Sequence, residues 1–127
     1  MIWAPIHMLA FIPNRVPAFI SFPFQSNPEL NRVRVYPFAE FAWKQAFLPV
    51  VPHWMFPYLK EDFHRDEILR CCKILLRTCK ELWICGDIVT EGMALEIEEA
   101  KKVRISISRC LYQTDMDRHC IFPFKEE

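Results

Sequence analysis

The residues best suited to chemistry lie together in one segment, residues 86–96. The chain has only two glycines and both are here: Gly86 permits a tight turn after a strand, while Gly92 removes a side chain where a ligand could approach the backbone. Thr90 is a good N-cap for the helix that follows. Glu96 lies one helical turn beyond Gly92, and because helical side chains lean towards the N-terminus, its carboxylate should project over the bare Gly92 surface. A carboxylate with such an open approach could act as a nucleophile.

A second interpretation of Glu96 needs no chemistry. Glu98 and Glu99 follow within three residues, and acids in such a cluster commonly lie on a solvated helix face. Spacing alone does not separate a nucleophile from a solvent-exposed acid, so both interpretations stay open at the level of the sequence.

A proline-rich and aromatic segment at residues 52–58 could lie over the same site. We expect an irregular loop, because such a composition disfavours regular structure. His53 could donate a hydrogen bond to a ligand or only tie down this loop. Its neighbours Trp54, Phe56 and Tyr58 could stack on a base, or they could fill a core or an interface.

Short apolar runs separated by helical patterns must position these residues. Four runs are predicted as strands, at residues 16–22, 47–51, 82–85 and 103–108. Helical patterns follow the first three, beginning at Asn27 and Pro28, at residues 62–80 and at residues 91–102, and Pro37 should kink or split the first helix. This order predicts an α/β fold with a mostly parallel sheet of four to five strands, helices on both faces and ligands at the carboxyl ends of the strands.

The composition fits one such domain. The chain has 127 residues, of which 52% are apolar, enough for a core. We expect an apolar extension over residues 1–17, the domain over residues 18–109 and a less regular tail over residues 110–127. Residues 1–13 have no positive n-region, contain two prolines and are too short to span a bilayer. They predict an extension packed on the domain or a dimer contact.

Charge and cysteine content exclude several kinds of partner. Sixteen basic residues balance sixteen acidic ones, so no overall field favours nucleic acid or a membrane surface. Five basic residues are expected on solvated faces: Arg32, Arg34, Lys101, Lys102 and Arg104. Six cysteines without a C-x-x-C pair, and four scattered histidines, predict reduced thiols, a cytosolic protein and neither a bound metal nor a cofactor.

Two motifs resemble one known family. The stretch K-E-L-W-I-C-G-D-I-V-T-E-G-M-A-L-E-I at residues 80–97 resembles the pattern C-D-E-L-W-V-F-G, then S-x-G-M-x-x-E-I, of the nucleoside 2-deoxyribosyltransferase-like superfamily, which includes phage and bacterial members. Upstream, Asn31 and P-V-V-P-H-W-M-F-P at residues 49–57 are similar to that family's N and P-x-x-P-H-x-x-x-P. The resemblance covers roughly residues 18–107.

The resemblance implies a Rossmann-like domain that cleaves or transfers the N-glycosidic bond of a deoxynucleoside or its monophosphate. The family's catalytic glutamate corresponds to Glu96, which would attack the anomeric carbon. Thr90 falls where the nucleotide-hydrolysing branch carries a serine that contacts phosphate. Ser21 and Ser26 lie on the first βα turn, where the family contacts the sugar or phosphate, and Asp87 would help to shape that site.

Relatives in that family often complete the pocket with residues of a neighbouring subunit. Together with the apolar residues 1–13, this implies a homodimer or a larger assembly that binds a nucleoside or nucleotide.

The sequence also departs from the family's pattern. An aspartate that assists the leaving base falls at Cys72, and the C-D pair is Cys79 and Lys80 here. Losing a proton donor to the leaving group costs about 10²- to 10⁴-fold in rate. Two functions are therefore predicted: an N-glycosidase or deoxyribosyltransferase acting through Glu96, or a catalytically silent module that binds a nucleotide or a protein partner, as a phage-borne regulator or inhibitor would.

Overall fold

The computed structural model describes residues 14–60 and 63–126. They contain one sheet built from β1 (Val16–Ser21), β2 (Phe47–Val50), β3 (Glu81–Cys85), β4 (Ser106–Gln113) and β5 (Arg118–Pro123), in the order β2-β1-β3-β4-β5. The first four strands are parallel and β5 is antiparallel to β4, which confirms the predicted mostly parallel sheet. Of the extension expected over residues 1–17, residues 1–13 lie outside the described residues, whereas Val16 and Pro17 belong to β1.

The helices of the described residues are α1 (Pro28–Arg34), α2 (Tyr36–Lys44), α3 (Pro52–Met55), α4 (Arg65–Arg77) and α5 (Glu91–Lys102). The predicted split at Pro37 is confirmed: α1 and α2 meet at Val35, because a proline lacks the N–H of the helical ladder but is tolerated in the first turn of a new helix. Asn27 caps α1 by accepting a hydrogen bond from the Leu30 N–H at 3.2 Å. Across the described residues, no helix combines the length and apolarity needed to cross a bilayer.

The core has two halves, one on each face of the sheet, and successive side chains of β1 point into them alternately. Ala18 and Ile20 pack with α2 on one face of the sheet, whereas Phe19 packs with α4 and α5 on the other. All three are fully buried, because successive side chains of a strand point to opposite faces. Helices therefore cover both faces, as predicted.

Two element boundaries differ from the predicted ones. α4 ends at Arg77 rather than at residue 80, because the Lys80 N–H already bonds to the carbonyl of Pro17 in β1 at 2.9 Å. The expected helix start at residue 62 lies outside the described residues. β4 begins at Ser106 rather than at residue 103, because Arg104 takes a left-handed conformation (φ 60°) that ends α5.

The expectation of a less regular tail after residue 109 is wrong. β4 continues to Gln113, and a turn at residues 114–117 leads into β5, where Arg118 pairs with Gln113. Asp117 supplies the left-handed residue (φ 49°) that this hairpin needs. The turn has the sequence T-D-M-D, without the Asn-Gly or Asp-Gly pair that usually marks a hairpin.

Candidate active site

Glu96 is the buried acid of the site. It lies on the inner face of α5 with 8% of its surface exposed, and its Oε1 accepts a hydrogen bond from the Ser21 hydroxyl at 2.6 Å. Ser21 is the last residue of β1, so this bond joins the carboxyl end of a central strand to the helix. The interpretation of Glu96 as a solvent-exposed acid is therefore wrong, although it holds for Glu98.

Burial controls the protonation of Glu96. Removal from water raises the pKa of its carboxyl to about 7, and the Ser21 hydrogen bond opposes this rise because it favours the carboxylate. The group therefore exchanges its proton near neutral pH. Such a carboxyl suits a nucleophile or a general acid or base.

The first turn of α5 presents bare backbone. Thr90 caps the helix as predicted, and its Oγ1 accepts the Met93 N–H at 3.3 Å. A Cβ placed on Gly92 would meet Leu69, Thr90 and Arg65 at 3.9, 3.9 and 4.0 Å, which are ordinary contact distances. The surrounding protein atoms therefore do not require a glycine, and Gly92 lines the pocket with bare backbone.

One pocket brings these groups together. Its cavity has a volume of about 40 Å³, which is below the range of roughly 300–1,000 Å³ that is usual for small-molecule sites, so a ligand the size of a nucleoside requires the pocket to widen. Its walls are mostly apolar, and its polar side chains are Gln25, His53, Arg65, Thr90 and Glu96. The predicted site residues that line it are His53, Thr90, Gly92 and Glu96. Ser21 joins them through its bond to Glu96.

His53 both lines the pocket and anchors its own segment. It belongs to the short helix α3, where Pro52 is favourable in the first turn. The expectation of an irregular loop is therefore wrong for residues 52–55 and right for residues 56–58. The imidazole stacks on the Phe24 ring at a centroid distance of 3.8 Å. The His53 carbonyl accepts a hydrogen bond from Arg32 Nε at 3.1 Å. Arg32 is partly buried, so its expected place on a solvated face is wrong.

Two predicted residues, Ser26 and Asp87, face a neighbouring cavity instead. This cavity lies towards α1, and the Phe22 ring lines both it and the Glu96 pocket. Gly86 lies beside this ring, since an added Cβ would be 3.4 Å from Phe22, and its φ of +90° is a conformation that favours glycine. The structure therefore separates Ser26 and Asp87 from the Glu96 pocket.

Sequence reasoning missed two polar residues of the pocket, Gln25 and Arg65. Arg65 is the first residue of α4 and one of sixteen basic residues, and nothing in its spacing distinguishes it from the others. Cys72, at the position where the resemblance implies an aspartate, lines the same pocket from α4. This position therefore lies inside the site.

All six cysteines lie in the described part of the chain, and none forms a disulfide. Within residues 14–60 and 63–126, no three His, Cys, Asp or Glu side chains are grouped so that they could hold a metal ion.

Comparison with known proteins gives a match at the level of a family. The family model described as "Domain of unknown function (DUF7768)" matches residues 17–110, a stretch that contains both Ser21 and Glu96. No curated protein matches the chain.

Proposed function

The chain belongs to the DUF7768 family, and we propose that it is a nucleoside or nucleotide N-glycosidase, or a related 2-deoxyribosyltransferase, that acts through Glu96. The observation that carries the proposal is the buried Glu96 carboxyl, bonded to the neutral Ser21 at 2.6 Å and lining a pocket that also exposes Gly92. A buried acid whose partner carries no charge is costly to keep ionised. Its place in a pocket therefore supports a chemical role.

We also propose that the fold is Rossmann-like. The chain runs outwards from β1 to β2 on one side and then from β3 to β4 on the other, so the strand order reverses between β1 and β3. Sheets of this kind bind ligands at the carboxyl ends of the strands at such a reversal. Ser21 lies there, which supports the same site.

In the proposed reaction the ionised Glu96 attacks the anomeric carbon of a 2-deoxyribosyl group. A C–O bond forms to that carbon as its C–N bond to the base breaks, and the base nitrogen keeps the electron pair of the broken bond and takes a proton from solvent or from the site. Water or a second base then attacks the same carbon and loses one proton to solvent or to the site, and Glu96 leaves as a carboxylate. Water gives hydrolysis, whereas a base gives transfer. Because Ser21 holds Oε1, we expect Oε2 to attack.

Cys72 favours a second candidate function. It lines the pocket at the position where the resemblance implies an acid that protonates the leaving base, and a thiol is a weaker acid than a carboxyl. A protein that kept the pocket but lost this donor would be a catalytically silent module, which binds a nucleotide or a protein partner as a phage-borne regulator or inhibitor would.

We further propose a homodimer or larger assembly in the cytosol, as the apolar residues 1–13, the cysteine pattern and the resemblance predict. Light scattering over a range of protein concentrations tests the assembly. A monomer at every concentration would contradict it.

Release of free base from a panel of nucleosides and their 5′-monophosphates, followed by chromatography, tests the enzymatic proposal. The wild-type protein should release base from at least one 2′-deoxy compound. Glu96→Gln should abolish this release while substrate affinity stays within about tenfold, because the amide keeps the shape of the side chain but cannot form the glycosyl ester. Glu98→Gln is the matched control, since Glu98 is an exposed acid on the same helix, and it should retain full activity.

Two results would overturn the enzymatic proposal. Full activity of Glu96→Gln would remove Glu96 from the mechanism. Tight nucleotide binding by a wild-type protein that releases no base would establish the binding module instead.

A further inference from the structure

A groove lies between α5 and the hairpin that β4 and β5 form. Cys110 packs into the half of the core that faces α2, so its neighbours Arg109 and Leu111 point to the opposite face of the sheet, beside α5. Phe122 pairs with Arg109 across the hairpin. We call this space the hairpin groove, and its lining residues include Ala94, Ile97, Glu98, Arg109, Leu111 and Phe122.

The hairpin groove is distinct from the Glu96 pocket. Among the described residues, none lines both spaces. The groove has a volume of about 980 Å³, which lies at the upper end of the range of roughly 300–1,000 Å³ that is usual for small-molecule sites. It therefore has room for a small ligand without any widening.

Arg109 brings a positive charge into the hairpin groove. Its Nη2 donates a hydrogen bond to the Gly86 carbonyl at 2.7 Å, whereas its Nε is buried and has no partner within residues 14–60 and 63–126. The ion pairs in this part of the chain join other side chains, so no carboxylate there neutralises the guanidinium. Because unpaired buried donors are costly, an acceptor oxygen supplied by a ligand at this guanidinium would be stabilising.

The charges at the rim of the groove favour a singly charged ligand. Asp87 and Glu98 line the groove but are exposed, so water weakens their repulsion of an anion. Glu126 is paired with Lys101 at 2.5 Å, and Lys125 adds a positive charge to the rim. A carboxylate meets less of the remaining repulsion than a doubly charged phosphate does.

The walls of the groove suit an apolar ligand body. Ile97 of α5, Leu111 of β4 and Phe122 of β5 all line it, and Phe122 is 41% exposed. Covering this apolar surface is favourable in proportion to the area removed from water. Apolar walls with one well-placed charged group are the usual composition of a small-molecule site.

We propose that the hairpin groove binds an apolar carboxylate, whose charged group accepts hydrogen bonds from Arg109 and whose body packs on Ile97, Leu111 and Phe122. Arginine suits this role, because its planar guanidinium can donate to both oxygens of a carboxylate. The site is independent of the proposed N-glycosidase reaction and does not require Glu96.

Isothermal titration calorimetry with three probes tests the proposal. Octanoate carries both the carboxylate and an apolar body, octanamide keeps the body without the charge, and acetate keeps the charge without the body. The wild-type protein should bind octanoate at least about tenfold more tightly than octanamide, because a hydrogen bond to a charged group is stronger than one to a neutral group. Acetate should bind more weakly than octanoate, since it covers little apolar surface.

Two substitutions locate the binding site. Arg109→Met should weaken octanoate binding by about 10- to 100-fold, and Arg118→Met, which removes an exposed arginine at the start of β5, should leave it unchanged. Ala94→Trp fills the groove from an exposed position of α5 and should weaken binding by at least about tenfold, even if Arg109→Met folds poorly. Leu95→Trp is its matched control, because Leu95 is also exposed but does not line the groove.

The outcomes separate this site from the enzymatic one. Glu96→Gln should bind octanoate as the wild-type protein does, whether or not the protein releases base. If Glu96→Gln loses octanoate while Ala94→Trp retains it, the ligand lies in the Glu96 pocket and the proposal is wrong. Absence of octanoate binding to the wild-type protein, or equal affinity for octanoate and octanamide, would also overturn it.

Discussion

The two halves of α5 carry buried acids with opposite surroundings. In the N-terminal half, Glu96 accepts a hydrogen bond from the neutral Ser21, whereas in the C-terminal half Glu99 is paired with Arg77 of α4, with an Nη2 to Oε1 distance of 2.6 Å. Burial raises the pKa of Glu96 to about 7. The hydrogen bond from Arg77 lowers the pKa of the Glu99 carboxyl below its ordinary value. Burial is the main cause at Glu96 and the Arg77 hydrogen bond is the main cause at Glu99, so depth of burial and the charge of the partner together account for the difference.

The difference shows that one helix can hold a structural ion pair in one half and line a pocket with the other half. Arg77 and Glu99 tie α4 to α5 and keep the acid ionised, a structural use of charge. The N-terminal half instead contains Gly92, which is unfavourable in a helix, and an acid whose charge is not compensated. Both features reduce stability. Gly92 leaves backbone bare in the pocket, and the uncompensated burial of Glu96 raises its pKa towards neutrality. Sites that break local rules in this way are typically functional.

The largest expected effect comes from giving the pocket a second carboxyl. Cys72 is buried and lines the pocket from α4, so Cys72→Asp would place a proton donor where the resemblance implies one. We expect base release to become faster by about 100-fold or more, since general acids contribute about 10²- to 10⁴-fold. Chromatographic assay of released base measures it.

Cys72→Asn is the matched control for that substitution. It has nearly the same size as Cys72→Asp but carries no acidic proton, so it should give no increase. Equal rates for the two variants would show that the position does not protonate the leaving base.

Next in size is the effect of Glu96→Gln on stability. The folded protein raises the pKa of Glu96 from 4.5 to about 7, so between these values the folded state binds more protons than the unfolded state and stability falls as pH rises. The cost of the charge is therefore complete above pH 7. At pH 8, Glu96→Gln should raise the free energy of unfolding by about 3 kcal/mol, and at pH 4.5 by only about 0.4 kcal/mol.

Urea unfolding at the two pH values measures this gain, and Glu99→Gln is the contrasting variant. Glu99 forms an ion pair with Arg77. Replacing its carboxylate with a neutral amide should therefore lower the free energy of unfolding at pH 8. The comparison of the two acids breaks down if both variants shift stability in the same direction.

The parts of this arrangement that the sequence predicts depend on local geometry. Thr90 as a cap, Gly92 as an opening and Glu96 above it follow from the spacing within one helix, which fixes the direction of each side chain. The strand at Leu82 and the split at Pro37 follow in the same way from a run of apolar residues and a missing N–H.

The parts that the sequence does not predict depend on contacts between distant segments. Arg65 enters the pocket because α4 packs beside α5, and no pattern around residue 65 reports that neighbour. Ser26 and Asp87 miss the pocket because the Phe22 ring divides the space at the strand ends. The sequence does not predict β5, because its hairpin turn uses Asp117 and lacks the usual Asn-Gly or Asp-Gly pair. Helical spacing within one element carries none of this information.

The pH dependence of activity tests whether the raised pKa belongs to the reacting group. A nucleophilic Glu96 must be ionised, so kcat/KM should fall about tenfold for each pH unit below 7 and level off above it. Glu99 does not cause this fall in kcat/KM below pH 7, because its pKa is lowered. Base release measured from pH 5 to pH 8.5 gives the profile, and a flat profile from pH 6 to pH 8 would assign the raised pKa to a group outside the reaction.

The smallest expected effect, Gly92→Ala, separates stability from ligand access within the N-terminal half. Its Cβ would meet only Leu69, Thr90 and Arg65, at 3.9–4.0 Å, so the folded protein should accept it. Alanine should then stabilise α5 by about 0.5–1 kcal/mol, while its methyl group occupies the space reserved for the ligand and weakens nucleotide binding. Ala94→Gly, at an exposed position of the same helix, is the reciprocal control: it should lower stability by a similar amount and leave binding unchanged. If Gly92→Ala binds nucleotide as well as the wild-type protein does, the bare backbone is not the ligand's approach.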